Sequence, residues 1–148
     1  MARKTGNRQE ARQRAEHQGR TAEFVALVYL MLTCHRILVR RWRGSAGEID
    51  LVARRGRRII FVEVKFRHRS DAGSGAGSGA SSDAGSDAGG IPTAQQRQRI
   101  ARTAQQFWRQ RRISPAFELR FDLIQISPSF GGILFSIRHI RDAWWAMI

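Results

Sequence analysis

Four side chains in one short stretch could do chemistry together. Glu48 and Asp50 stand in Gly47-Glu48-Ile49-Asp50-Leu51-Val52. Glu63 and Lys65 stand in Ile59-Ile60-Phe61-Val62-Glu63-Val64-Lys65. Both runs read as strands joined by a basic turn near Arg55-Gly56, where glycine tolerates the positive φ of a tight hairpin. Successive strand side chains point to opposite faces. Glu48 therefore shares a face with Asp50, and Glu63 with Lys65, while Ile49, Leu51, Ile60, Val62 and Val64 supply the apolar face. A two-residue loop sets Glu48 opposite Glu63. A four-residue loop, residues 55–58, sets Asp50 opposite Glu63. In both registers carboxylates meet on one side of the sheet.

Anions placed this way repel, and burying them is costly unless something compensates. A divalent cation or an arginine must offset that cost. Local composition sharpens the point: from 24 to 70 there are eleven Lys or Arg residues and three acids, and the three acids are Glu48, Asp50 and Glu63. The chain holds 24 Arg and two Lys, and one of the two is Lys65. A compact ammonium can approach a phosphate or orient a water in ways a guanidinium fork cannot. An Asp50/Glu63 pair suits Mg²⁺, which typically takes one or two carboxylates and keeps several waters.

Asp50, twelve residues, then Glu63-Val64-Lys65 resembles the PD-(D/E)xK nuclease motif. With Gly19-Arg20-Thr21-Ala22-Glu23 upstream and Arg120-Phe121-Asp122-Leu123-Ile124 downstream, the chain resembles the bacterial YraN-like family over residues 15–70 and 91–126. That family is assigned to the restriction-endonuclease-like fold and is similar to archaeal Holliday-junction resolvases. The resemblance implies an α/β domain with a mixed central β-sheet flanked by helices, an αβββαβ core. It implies a metal-dependent endonuclease that hydrolyses DNA phosphodiesters, branched DNA included. Mg²⁺ or Mn²⁺ would be held by Asp50, Glu63 and the Val64 carbonyl, with Glu23 as a further carboxylate and Lys65 beside the attacking water. Resolvase-like relatives act as dimers, which makes a homodimer an expectation to test. The family commonly carries a lysine where Gln96 stands, and a shorter segment with Phe-Gly where residues 70–90 stand. Those two departures favour the competing reading, a nucleic-acid-binding or adaptor protein that keeps the fold and does no chemistry.

Charge agrees with a polyanionic partner. The net charge is +14 and the isoelectric point about 11.8, so nucleic acid is the first choice. Arg40, Arg41, Arg43, Arg67 and Arg69 are placed to hold backbone phosphates, with Arg97 and Arg99 beside them. The single Cys34 excludes an internal disulfide and a cysteine-rich zinc site, and it fits the reducing cytoplasm of a bacterium. No secretory h-region follows the basic start. The longest apolar run, 24–34, is too short to span a bilayer, so no membrane partner is expected. His17, His35, His68 and His139 have no ligand spacing.

The elements that must position the cluster follow from periodicity. Residues 1–14 read as a disordered basic arm and 15–148 as one nuclease-like domain. Residues 15–35 read as a helix, with Ala22, Val25, Ala26, Tyr29, Leu30 and Thr33 as a stripe. Phe24, Leu27, Val28 and Leu32 extend that stripe, which predicts burial on more than one side. Glu23 beside the apolar face needs a partner, either the carboxylate cluster or an arginine such as Arg20 or Arg40. Residues 36–43 read as a strand. Residues 70–90 are a Gly/Ser/Ala/Asp-rich flexible insertion. Residues 92–112 read as a second helix, with Pro92 in its first turn and Ile100, Ala104, Phe107 and Trp108 inward. Residues 118–126 read as a strand in which Asp122 has either a catalytic role or an arginine partner, 127–132 as a turn, 133–137 as a last strand, and 141–148 as a short helix.

Overall fold

A computed structural model describes residues 3–67, 90–129 and 133–146. Its elements run α1 (Arg3–Leu32), β1 (Arg36–Gly44), β2 (Gly47–Arg55), β3 (Arg58–Phe66), α2 (Ala94–Gln110), β4 (Glu118–Ser129) and β5 (Leu134–Ile140). The five strands form one sheet in the order β1-β2-β3-β4-β5. All neighbours are antiparallel except β3 and β4, which are parallel and joined by a crossover through α2. Elements α1 to β4 are the αβββαβ core of a restriction-endonuclease-like fold, and β5 extends its sheet.

Both faces of the sheet are buried. Val52, Ile59, Phe61, Phe121 and Leu123 pack under Ile100, Ala104 and Phe107 of α2, joined by Trp144. Leu51, Ile60, Val62, Ile124 and Ile126 pack under Ala22, Ala26 and Leu30 of α1. This explains why β3 reads as a nearly continuous apolar run rather than an alternation: a central strand with a parallel neighbour is covered on both sides. Phe61 lies at the centre of an aromatic group, with ring centroids 5.7 Å from both Phe107 and Phe121. Trp42 meets Phe107 edge-on at 5.1 Å, which gives it a packing role.

Several elements depart from expectation. Helix α1 begins at Arg3, so the basic arm expected over 1–14 is helical from that residue on. Its Arg, Gln, Glu and Ala residues are good helix formers, and residues 13–17 are all exposed. The second apolar side predicted for α1 is covered only at Leu27, which packs against the core; Phe24, Val28 and Leu32 are 57%, 38% and 80% exposed. Helix α2 starts at Ala94, capped by Thr93, whose hydroxyl accepts from the Gln96 N–H at 3.3 Å. Strand β4 continues through Ser127, Pro128 and Ser129, where a turn was expected, because β5 pairs with it along that length. Its pairing with β3 ends at Ile126. Pro128 lies beyond that point, where a missing N–H costs no ladder bond. The segment from Arg141 to Ala146 is not a helix. It is tied down by Ala143 N–H to the Phe121 carbonyl at 2.8 Å, and Trp144 stacks on Phe121 at 5.4 Å. The insertion at 70–90 lies outside the described residues except for Gly90.

Candidate active site

Strands β2 and β3 pair from Arg55↔Arg58 to Leu51↔Val62, leaving Gly56-Arg57 as a two-residue turn. Gly56 takes φ +59°, as that turn needs. One further step in this register sets Asp50 across from Glu63, the second of the two expected arrangements, reached with a shorter loop. At that step the ladder stops. The Val64 N–H donates to Asp50 Oδ2 at 2.7 Å, so a side chain occupies the place of a strand carbonyl. The neighbouring strand is irregular at the same level. Arg41 lies between the pairs Arg40↔Leu51 and Trp42↔Ile49, and its backbone has φ +50°. A left-handed residue other than glycine costs about 1–2 kcal/mol, and such strain collects at functional sites. Face alternation consequently breaks across Asp50: Ile49 joins Val52 on the α2 side, not Leu51 on the α1 side.

The break gathers charge into one place. Glu63 is buried, and Lys65 Nζ lies 3.3 Å from its Oε1. Gln96 Nε2, from the first turns of α2, donates to the same Oε1 at 3.0 Å. Burial pushes the Asp50 carboxyl up, repulsion from Glu63 adds to that, and the pKa reaches about 8 although the Val64 N–H opposes the rise. Glu23 and Lys65 are near enough to act on Asp50 as well, in opposite directions. Such a pair is the environment a divalent cation relieves, and two carboxylates suit Mg²⁺ or Mn²⁺. Among the described residues no three His, Cys, Asp or Glu side chains are close enough to hold a metal by themselves.

Glu48 is held elsewhere. It accepts from Arg41 Nε at 2.7 Å and Arg43 Nε at 2.9 Å. Burial pushes its pKa up, but the two guanidinium bonds outweigh this and hold it below the usual value. Glu23 Oε2 is 3.7 Å from Arg41 Nε, so its arginine partner is Arg41 and not Arg20 or Arg40. Two of the arginines expected to take phosphates, Arg41 and Arg43, are thus engaged by Glu48. Arg40 and Arg99 are exposed, Arg67 and Arg97 are partly buried, and Arg69 lies outside the described residues.

Asp122 is fully buried and belongs to a different group. Arg120 Nε and Nη2 donate to its two oxygens, each at 2.8 Å, the Asp142 N–H donates at 2.9 Å, and His139 Nε2 lies at 2.7 Å. Burial pushes its pKa up, and these partners more than reverse the rise. Asp122 is a structural anchor between β4 and β5. His139 also meets the Tyr29 hydroxyl at 3.3 Å, which ties α1 to the anchor. The sequence reading left His139 without a partner because its partners come from other elements.

The family described as "Uncharacterised protein family UPF0102" matches residues 22–126 of this chain. A UPF0102 protein of Maricaulis maris is 38% identical over 136 residues, covering 90% of each chain. One from Rhizobium etli strain CIAT 652 is 40% identical, covering 93% of this chain and 97% of the relative. One from Rhizobium johnstonii is 41% identical, covering 90% and 93%. The matched span contains Glu23, Asp50, Glu63, Lys65, Gln96 and Asp122. No helix among the described residues is long and apolar enough to cross a membrane.

Proposed function

The chain belongs to the UPF0102 family, the YraN family that its motifs resemble, and from that premise we propose that it is a metal-dependent endonuclease acting on DNA, branched DNA included. The observation that carries this reading is the Asp50/Glu63 pair. Two carboxyls face each other where two strands part, one is pushed up to about 8 by burial and by the other, and the scarce lysine sits at 3.3 Å. A purely structural pair would gain by becoming apolar or by taking an arginine.

Asp50 and Glu63 would hold Mg²⁺ or Mn²⁺, with the Val64 carbonyl as a further oxygen donor, and Glu23, beside Arg41, would act on the site through its charge on Asp50. When bound, the ion supplies a water of lowered pKa and neutralises charge on the scissile phosphate. Lys65, whose Nζ lies 3.3 Å from Glu63 Oε1, would orient the attacking water or meet charge developing on the phosphate. Burial and Glu63 raise the affinity of Asp50 for its proton, so Asp50 would give up that proton on holding the ion, and rising pH would favour filling. Arg40, Arg97 and Arg99 offer sequence-independent contacts to flanking phosphates.

One observation favours a second reading, a binding protein without chemistry. Gln96 takes an oxygen of Glu63 with a neutral amide, at the position where the family resemblance implies a lysine. A panel of labelled substrates with Mg²⁺, Mn²⁺ or EDTA separates the two, using wild type and Glu63→Ala. Cleavage that needs metal and Glu63 supports the nuclease. Salt-sensitive binding by both proteins, with no cut under any metal, would sink the catalytic reading.

A further inference from the structure

At the other end of the sheet from Glu63, a pocket of about 220 Å³ is lined by Arg55, Gly56, Arg58, Ile60, Arg120 and Arg141. The fold brings these together. Arg55 and Arg58 are cross-strand partners at the β2–β3 turn, Ile60 and Arg120 are partners across β3 and β4, and Arg141 follows β5. Four guanidiniums around one small cavity repel each other as the carboxylates do at the opposite end. Two are satisfied within the protein: Arg58 Nε bonds Glu118 Oε2 at 2.7 Å, and Arg120 bonds Asp122. The other two differ. Among the described residues neither Arg55 nor Arg141 has a carboxylate at ion-pair distance. Asp142 lies close enough to act on Arg58, so three acids stand near four arginines, and an excess of positive charge faces the cavity.

We propose that this pocket binds a phosphate group. The volume falls below the ~300 Å³ at which sites for drug-sized ligands begin, so it suits one small anion or one group of a larger ligand. Guanidiniums match phosphate oxygens in pairs and hold their charge at every working pH. A carboxylate ligand could also be bound, but Arg120 and Arg58 already hold the carboxylates this chain supplies, while the two without one face the cavity. The neighbouring His35 is consistent with the local field: burial pushes its pKa down, and Arg55 and Arg120 are among the charges that push it further. Along β3 the lining residue nearest to Glu63 is Ile60, three residues away, a rise of about 10 Å at ~3.3 Å per residue. The pocket is therefore separate from the carboxylate pair, and it stands or falls independently of cleavage. The phosphate could come from a nucleic acid or from a free small molecule.

The test measures binding of inorganic phosphate and of two oligonucleotides, one with a 5′-phosphate and one with a 5′-hydroxyl, to the full chain without divalent cations. Arg55→Gln and Arg141→Gln are compared with wild type and with Arg109→Gln, an exposed change on α2. Both pocket positions are exposed, so unfolding midpoints without ligand should stay unchanged, and this is checked first. The pocket predicts saturable binding weakened about tenfold or more by either variant and left alone by Arg109→Gln. Saturable binding of inorganic phosphate supports a free phosphate as ligand. A preference for the 5′-phosphorylated strand that vanishes in the variants supports a nucleic-acid end. Equal binding by wild type and the pocket variants, or equal loss in all three variants, would show diffuse attraction to a basic surface and overturn the proposal.

Discussion

Replacing Asp50 by asparagine should stabilise the protein in the absence of divalent cations, although it removes a residue central to the site. Asparagine keeps an oxygen for the Val64 N–H, which Asp50 now accepts at 2.7 Å, and loses the charge that faces Glu63. The native pKa of Asp50 is raised from 3.8 to about 8. The folded state therefore holds the proton more tightly than the unfolded one, so stability is complete below about pH 4 and falls as pH rises toward 8. One pKa unit corresponds to about 1.4 kcal/mol, which puts a ceiling of ~6 kcal/mol on the loss above pH 8. The repulsion is shared with Glu63 and relaxes in part, so the expected gain for Asp50→Asn at pH 8 is ~2–3 kcal/mol. For a chain of this size that raises the melting midpoint by about 5–10 °C. The assay is thermal unfolding of both proteins in EDTA at pH 4, 6 and 8. The gain should be near zero at pH 4 and largest at pH 8. Adding Mg²⁺ at pH 8 should stabilise wild type and leave the variant nearly unmoved. An asparagine variant that is no more stable at pH 8, or equally more stable at all three values, refutes the reasoning.

Three further perturbations have definite outcomes. Asp122→Asn takes the charge from a buried carboxylate between Arg120 and His139 and should cost about 3–5 kcal/mol in urea unfolding. Because the native pKa of Asp122 is depressed, the stability it supplies is present above the ordinary carboxylate range and lost as pH falls through it, so the variant should also flatten the acid limb of the stability profile. Gly44→Ala would bring a Cβ to 2.3 Å from Gln106 Oε1. Displacing Gln106 breaks its two bonds to Ser45, a loss of about 1–2 kcal/mol measurable by the same unfolding experiment. Lys65→Ala should reduce metal-dependent cleavage about 10²- to 10³-fold while oligonucleotide affinity in a binding assay changes little.

The central hairpin could be read from sequence because its signals are local and chemically unusual. Three acids in a basic stretch, one of two lysines, and a glycine at the turn point to the same few residues. Asp50 opposite Glu63 was one of two registers that this pattern allowed. The loss of alternation at Asp50 could not be read, since it depends on β1 and β3 together. Helix α1 was recognised by its inner stripe of Ala22, Ala26 and Leu30. Its length and its uncovered outer residues were missed, because an apolar residue carries no mark of whether a neighbour covers it. The same limit explains the expected C-terminal helix: Trp144 is fixed by Phe121, more than twenty residues earlier. The partners of His139 and the gathering of Arg55, Arg58, Arg120 and Arg141 are likewise long-range, and the sequence offers only scattered basic residues at strand ends.

The parallel pairing of β3 with β4 has a consequence for the order of assembly. Strands β1, β2 and β3 are consecutive hairpins, whereas Arg58 must find Glu118 across 60 residues. Local pairings close quickly, and a long crossover delays the contacts that depend on it. Asp50 and Glu63 both belong to the early meander, while Gln96 arrives only when the crossover docks. The repelling carboxyls are therefore brought together before the helix that shields one of them is in place. A cation, or a proton on Asp50, present during folding would favour the meander itself, so refolding should be faster in mild acid or with Mg²⁺ than at pH 8 in EDTA.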